Sequence, residues 1–172
     1  MPTGPHILVL PRPRYRRGRG SAVDGRGTMS GHGAEHAAEA AAKAELDALM
    51  GSFMDAFTNT GGRPPRLHAV REVFIPQGLI IMNLPEGPVV YDLDTFLAPR
   101  QALLTDGTLT EFSEWETAER TEIFGSVAHR YSAYGKSGRR DGTWFEGGGR
   151  KTTQFVRTPD GWRMSAMAWT DA

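Results

Sequence analysis

From Ala34 the chain reads as a long amphipathic helix. Leu46, Leu49, Met50, Phe53 and Phe57 recur three and four residues apart and make one apolar stripe, with Asp47 and Asp55 off it. Ala, Glu, Leu and Met dominate the segment, all strong helix formers, and Thr60-Gly61-Gly62 stops it. Arg63-Pro64-Pro65 then opens a shorter helix whose buried face is Leu67, Val70, Val73 and Phe74, ended by Pro76 and Gly78. Leu79–Met82 predicts a short strand, Leu84–Pro88 a turn, and Val89-Val90-Tyr91 the start of another strand. Asp92 or Asp94 caps a third helix over Thr95–Leu104, with Pro99 expected to kink or restart it.

Beyond Gly107 the period changes to two. Thr108–Glu122 and Ile123–Tyr134 are rich in aromatic and β-branched residues, and 135–142 reads as a polar turn. Lys151–Arg157 and Trp162–Thr170 flank Thr158-Pro159-Asp160-Gly161, a hairpin signal. Long strands with tight connections predict an antiparallel meander.

Charge divides the chain into two materials. The formal net charge is zero, yet residues 1–28 hold six arginines against the single acid Asp24, so the remainder is net acidic by five. This Arg/Gly/Pro-rich stretch has almost nothing to bury, and 1–33 is expected to be a disordered tail preceding a domain over 34–172. Nucleic acid is not expected as a partner other than through phosphate contacts of that tail. No apolar run approaches the roughly 18 residues that span a bilayer, and no export signal is evident, so a cytoplasmic protein without a membrane partner is expected. The chain has no cysteine, which removes disulfide and thiolate chemistry.

The closing stretch, GSVAHRYSAYGKSG followed by GGGRKTTQFVRTPDGWRMSAMAWTD, resembles the C-terminal half of small bacterial SnoaL-like proteins of the nuclear-transport-factor-2-like superfamily. With the element order, the resemblance covers residues 40–172. It implies an α+β fold: a cone-shaped curved antiparallel sheet packed on a long N-terminal helix and two short helices. That fold carries isomerases, dehydratases, cyclases and association modules, so it does not select a function. Its enzymes use an Asp base or a His-Asp pair with Tyr donors. No such set is placed residue by residue here, and His129 is the one suggestive position.

A curved sheet over helices leaves a pocket, and alternate strand residues face it. In Ile123–Tyr134 the set Ile123, Val127, His129, Tyr131 and Ala133 is the more apolar and is expected inward. His129 then becomes the candidate acid/base and Tyr131 the donor, with Tyr91, Trp115, Ile123 and Val127 as pocket walls. The plainer alternative makes His129 a half-buried ring satisfied by a neighbour. Glu114 and Glu116 are expected on the solvent face beside Arg120 or Arg130, with Trp115 pointing inward. His32 and His36 have no third ligand nearby, so no metal is expected, and no cofactor motif is found. Gly147–Gly149 precedes a strand rather than a helix, which favours a bend in the sheet over a phosphate cradle. Met164, Met167 and Trp169, on both parities of the last strand, point to homodimerisation through the outer sheet face.

Two functions stay open. One is a cone that binds an unknown small molecule, with lyase or isomerase chemistry by proton transfer. The other is a non-catalytic homodimeric binding and association module.

Overall fold

The computed structural model describes residues 29–172, with side chains described from Gly33. Of the expected tail over 1–33, residues 1–28 lie outside the described residues. Helix α1 runs Met29–Asp55, so its backbone includes 29–33. Its stripe is as the spacing requires: Leu46, Met50, Phe53 and Phe57 are buried, joined by Ala42 and Met54. A fully buried Leu46 contributes about 2 kcal/mol to holding the helix on the sheet.

A 3₁₀ turn at Thr60–Gly62 leads to α2, His68–Val73, and α3 spans Leu93–Thr105. Asp92 is the cap of α3, its carboxylate accepting from the Thr95 amide at 2.8 Å. The helix continues through Pro99 without a break, and the Pro99 ring faces the interior space described below.

Strands β1 (Phe74–Leu84), β2 (Gly87–Tyr91), β3 (Leu109–Phe124), β4 (Val127–Arg140), β5 (Thr143–Thr158) and β6 (Gly161–Asp171) form one sheet in the order β2-β1-β6-β5-β4-β3. All neighbours are antiparallel except β1 and β6, which pair in parallel. The segment 135–142, expected as a turn, is strand as far as Arg140, and the reversal is confined to Asp141-Gly142. Both residues there have positive φ, the geometry of a tight hairpin.

Register breaks bend the sheet: two in β3, at Thr110/Ser113 and Glu116/Ala118, one between Gln154 and Phe155 facing β6, and one in β1. The concave face receives α1 and α3, and the core of Leu46, Met50, Ile80, Phe155, Trp162, Met164 and Met167 sits beneath α1.

Asn59 ties the open end of this arrangement together. Its side-chain amide donates to the carbonyls of Leu104 (3.1 Å) and Leu109 (2.7 Å), and its carbonyl accepts from the Phe112 amide at 2.7 Å. One buried side chain thus joins the end of α1, the end of α3 and the start of β3.

Candidate functional site

Between α1, α3 and the concave sheet lies a cavity of about 450 Å³. Its walls are aromatic: Phe53 and Phe57 from α1, Tyr91 from β2, Phe96 from α3, Phe112 from β3 and Trp169 from β6. Phe96 stands edge-on to Phe57, Tyr91 and Trp169, with centroids 5.9–6.0 Å apart. Arg100 stacks on Phe96, 3.7 Å from the ring centroid, and donates to the Phe96 carbonyl at 2.9 Å. Among the described residues this guanidinium has no carboxylate partner.

The polar lining comes from the inward parity of the long strands. Lys151 of β5 is the deepest charge, its side chain 5% exposed. Its Nζ touches the Glu114 carboxylate of β3, lies 4.1 Å from the centroid of Tyr134 and 5.4 Å from that of Phe53, and sits 3.7 Å from Met54 Sδ. Burial pushes the Lys151 amine down to about 7, with Asp171 working against the shift and Arg100 adding to it.

Beside this pair, the Tyr134 hydroxyl donates to the Asp171 carboxylate, whose other oxygen accepts from Lys136 Nζ at 2.6 Å. Burial, then the adjacent carboxylate, push the Tyr134 phenol above its usual range. Burial also works to raise Asp171, but the bonds from Lys136 and Tyr134 outweigh it and hold the carboxyl low.

Gly149 explains how β4 and β6 meet across β5. The register aligns Tyr134, Gly149 and Asp171 on one line of the concave face. With no side chain at Gly149, the phenol and the carboxylate close over it. A Cβ there would collide with the Thr170 carbonyl and press on the Tyr134 hydroxyl at 2.8 Å.

A second inward charge serves a different purpose. Arg130 of β4, 4% exposed, forks onto Glu116 (2.9 and 2.5 Å) and reaches Asp47 of α1 at 2.5 Å and Thr121 at 3.1 Å. Burial opposes its charge, but the Glu116 and Asp47 bonds dominate and raise its pKa further. This fork clamps α1 to the sheet away from the cavity. Among the described residues no group of His, Asp and Glu side chains is arranged to hold a metal, and no helix is long and apolar enough to cross a membrane.

No family model and no curated protein matches the sequence. Solved structures do. A nuclear transport factor 2-like superfamily protein from Salmonella enterica serovar Typhimurium superposes with a TM-score of 0.63 at 14% identity, over 77% of this chain and 92% of that one. An NTF2-like protein with a cystatin-like fold from Novosphingobium aromaticivorans gives 0.64 at 15% identity, over 84% and 92%. The chain has the NTF2-like fold. A candidate calcium/calmodulin-dependent kinase II association domain from Exiguobacterium sibiricum shares it as well, with a TM-score of 0.57 at 12% identity over 74% and 90%.

Within this NTF2-like cone the expected strand parity is reversed. On β4 the inward residues are Ala128, Arg130, Ser132 and Tyr134, all buried, whereas Val127, His129 and Tyr131 are about half exposed on the convex face. His129 lies 3.6 Å from Glu122 there. The reason is that Arg130 brings its own counter-ions, so a charged residue occupies a position that hydrophobicity alone would deny it. Ile123 does point inward but packs on the core rather than lining the cavity. Trp115 lies outside, 46% exposed, its ring covering Gly135. Of the expected pocket residues, Tyr91 lines the cavity.

Glu114 and Glu116, expected outside, face inward, because the break at Glu116/Ala118 changes which parity of β3 is buried. The same effect at Gln154/Phe155 turns Met164 and Met167 to one face, and Trp169 follows them into the cavity wall. Their two parities therefore do not argue for an outer interface. Lys151, like Arg100, Tyr134, Lys136 and Asp171, was not among the site residues expected from the sequence. Its signal was a lysine two places from the Gly147–Gly149 run, on the same parity as Thr153 and Phe155.

Proposed function

We propose that the cavity binds a small aromatic or otherwise flat apolar molecule bearing an anionic group, and that its floor moves a proton on that molecule. The observation that carries this reading is the Lys151–Glu114 pair, buried at the bottom of an aromatic cavity whose wall also holds the cation Arg100, which has no carboxylate partner among the described residues. An ion pair placed where methionine and leucine would pack at lower cost is weak as a stabilising device, whereas acid/base groups in a water-poor cavity suit proton transfer next to a carbonyl. Glu114 supplies the base, Lys151 its charge partner, and the Lys136 ammonium, which keeps N–H groups beyond the one given to Asp171, a donor for a developing oxyanion. The acid/base role first sought at His129 and Tyr131 moves to these residues, and lyase or isomerase chemistry is retained as the reaction class.

The test uses 4-acetylbenzoate, a flat carboxylate with an exchangeable methyl ketone. Calorimetry should show one site per chain, weakened on the order of tenfold or more by Arg100→Gln, the loss of a charged hydrogen bond. Proton NMR in deuterated water should show protein-dependent exchange of the methyl group, lost in Glu114→Gln. Binding that ignores Arg100→Gln would remove the anion-directed reading, and no protein-dependent exchange would remove the proton-transfer one.

The outer face supports the association reading independently. Leu79, Val90 and Tyr131 are 45–57% exposed on the convex side, bordered by Ala166 and Ala168, and a structural neighbour is a candidate association domain. A second copy of the chain covers this face in our reading. Sedimentation should give a dimer at micromolar concentration that Leu79→Glu dissociates; a monomeric wild type would end the reading.

A further inference from the structure

We propose that Lys151 is a nucleophile, and that its amine condenses with an aldehyde or ketone carbonyl of the cavity's occupant to form an imine. The proposal rests on the reading of the cavity as a ligand site and names the class of ligand it takes: a carbonyl compound with a flat apolar body and an anionic end.

The surroundings of Nζ meet the requirements of that step one by one. Lys151 is one of the residues that line the cavity, which puts a carbonyl compound held there next to its side chain. The rings of Phe53 and Tyr134 and the sulfur of Met54 enclose its other sides, which keeps water scarce around the product. Glu114 is in contact and accepts the ammonium proton. The amine so exposed attacks the carbonyl carbon, and a proton passes from nitrogen to the former carbonyl oxygen. The Glu114 carboxyl then returns its proton to that hydroxyl, which leaves as water while the nitrogen lone pair closes the C=N bond. Lys–NH₃⁺ and a carbonyl thus become a protonated imine and water, with Glu114 again a carboxylate. Charge is conserved at the floor of the cavity, so the ion pair present before the reaction is present after it.

The other charged groups around the site do not compete. Lys136, from β4, is held by Asp171 of β6 at 2.6 Å. Arg100, from α3, cannot act as a nucleophile at neutral pH. Burial lowers the basicity of Lys151, which eases the passage of its proton to Glu114 that such chemistry needs. Once formed, the iminium acidifies the neighbouring C–H for removal by Glu114, which joins this step to the proton transfer proposed above.

The chain contains three lysines, Lys43, Lys136 and Lys151, so the product can be mapped without ambiguity. Full-length protein is incubated near neutral pH with 4-formylbenzoate and cyanoborohydride, digested, and the carboxybenzyl group located by mass spectrometry. Lys151 should label more than about tenfold faster than Lys43, whose amine is almost wholly protonated at that pH. Lys151→Arg should abolish the label while circular dichroism stays native, with label on the N-terminal peptide as an internal standard. Calorimetry of the same probe separates the two readings. Binding without label at Lys151 overturns the imine and leaves the cavity's function standing; no binding at all overturns both.

Discussion

A buried lysine that releases its proton near neutrality must leave its mark on stability. In the unfolded chain Lys151 keeps its proton up to its ordinary value of 10.5, and in the folded chain it gives it up near 7. Between those values the unfolded state binds more protons, so stability rises with pH. Below about pH 7 the full cost is present, about 5 kcal/mol at 1.36 kcal/mol per pH unit, and above about 10.5 it has vanished. The reference protein is Glu114→Gln/Lys151→Met, which removes both charges and leaves no orphaned carboxylate. Urea unfolding of both proteins at about pH 7.5 and about pH 9.0 cancels every other titrating group. The wild type should gain about 2 kcal/mol on the double variant over that interval. At the lower pH the double variant should be the more stable of the two, as happens when a buried ion pair is replaced by packed uncharged groups. A difference that stays constant within about 0.5 kcal/mol would mean that Glu114 keeps Lys151 an ammonium throughout. That result would refute the argument from burial and weaken the nucleophile with it.

Asn59→Ala orphans two carbonyls and an amide at the junction of α1, α3 and β3; we expect a loss of about 3 kcal/mol and a Tm lowered by about 10 °C in calorimetry, and a change under about 2 °C would show that water replaces the clamp. Gly149→Ala should part Tyr134 from Asp171. In ultraviolet pH titration the wild type should then show one tyrosine ionising above the rest, absent in Tyr134→Phe and restored towards the ordinary range in Gly149→Ala; identical curves would deny the bond.

The helices were legible because each has one apolar face and a local stop. The stripe from Leu46 to Phe57, the Asp92 cap and the Thr60-Gly61-Gly62 break are all encoded within a few residues. The sheet was legible as a sheet, since its aromatic and β-branched runs fit nothing else. Which residues faced inward was not. Parity along β3 and β6 changes at register breaks that depend on the partner strand, and nothing local to Glu116 or Gln154 announces them. On β4 the alternation is regular, yet its polarity is inverted by Arg130, whose acceptability depends on Glu116 fourteen residues earlier and Asp47 on another element. Lys151 and Glu114 are likewise far apart in sequence, and each alone looks like a solvated charge.

That inversion ties the two functional readings together. A half-buried sheet ordinarily places its apolar parity inside and its polar parity in water. Here the inward parity of the central strands carries Glu114, Glu116, Arg130, Ser132, Lys151 and Thr153, while the convex side displays Leu79, Val90, Val127, Tyr131 and Trp144. Buried charges cost stability unless each is paired, and Arg130 and Lys151 are paired in two different ways, whereas the hydroxyls of Ser132 and Thr153 have no partner among the described residues. Arg130 is met by a carboxylate fork and a helix carboxylate, a closed network with no route to the cavity. Lys151 has one carboxylate beside it and open space in front of it. Only the second arrangement leaves a reactive atom facing a void of molecular size. The apolar convex side is the counterpart of the same pattern: a face of that character on a small domain is normally covered. The proposed second subunit over the outside and the proposed small carbonyl compound on the inside are thus separable on one inverted sheet, and Leu79→Glu should abolish the first while leaving 4-acetylbenzoate binding unchanged.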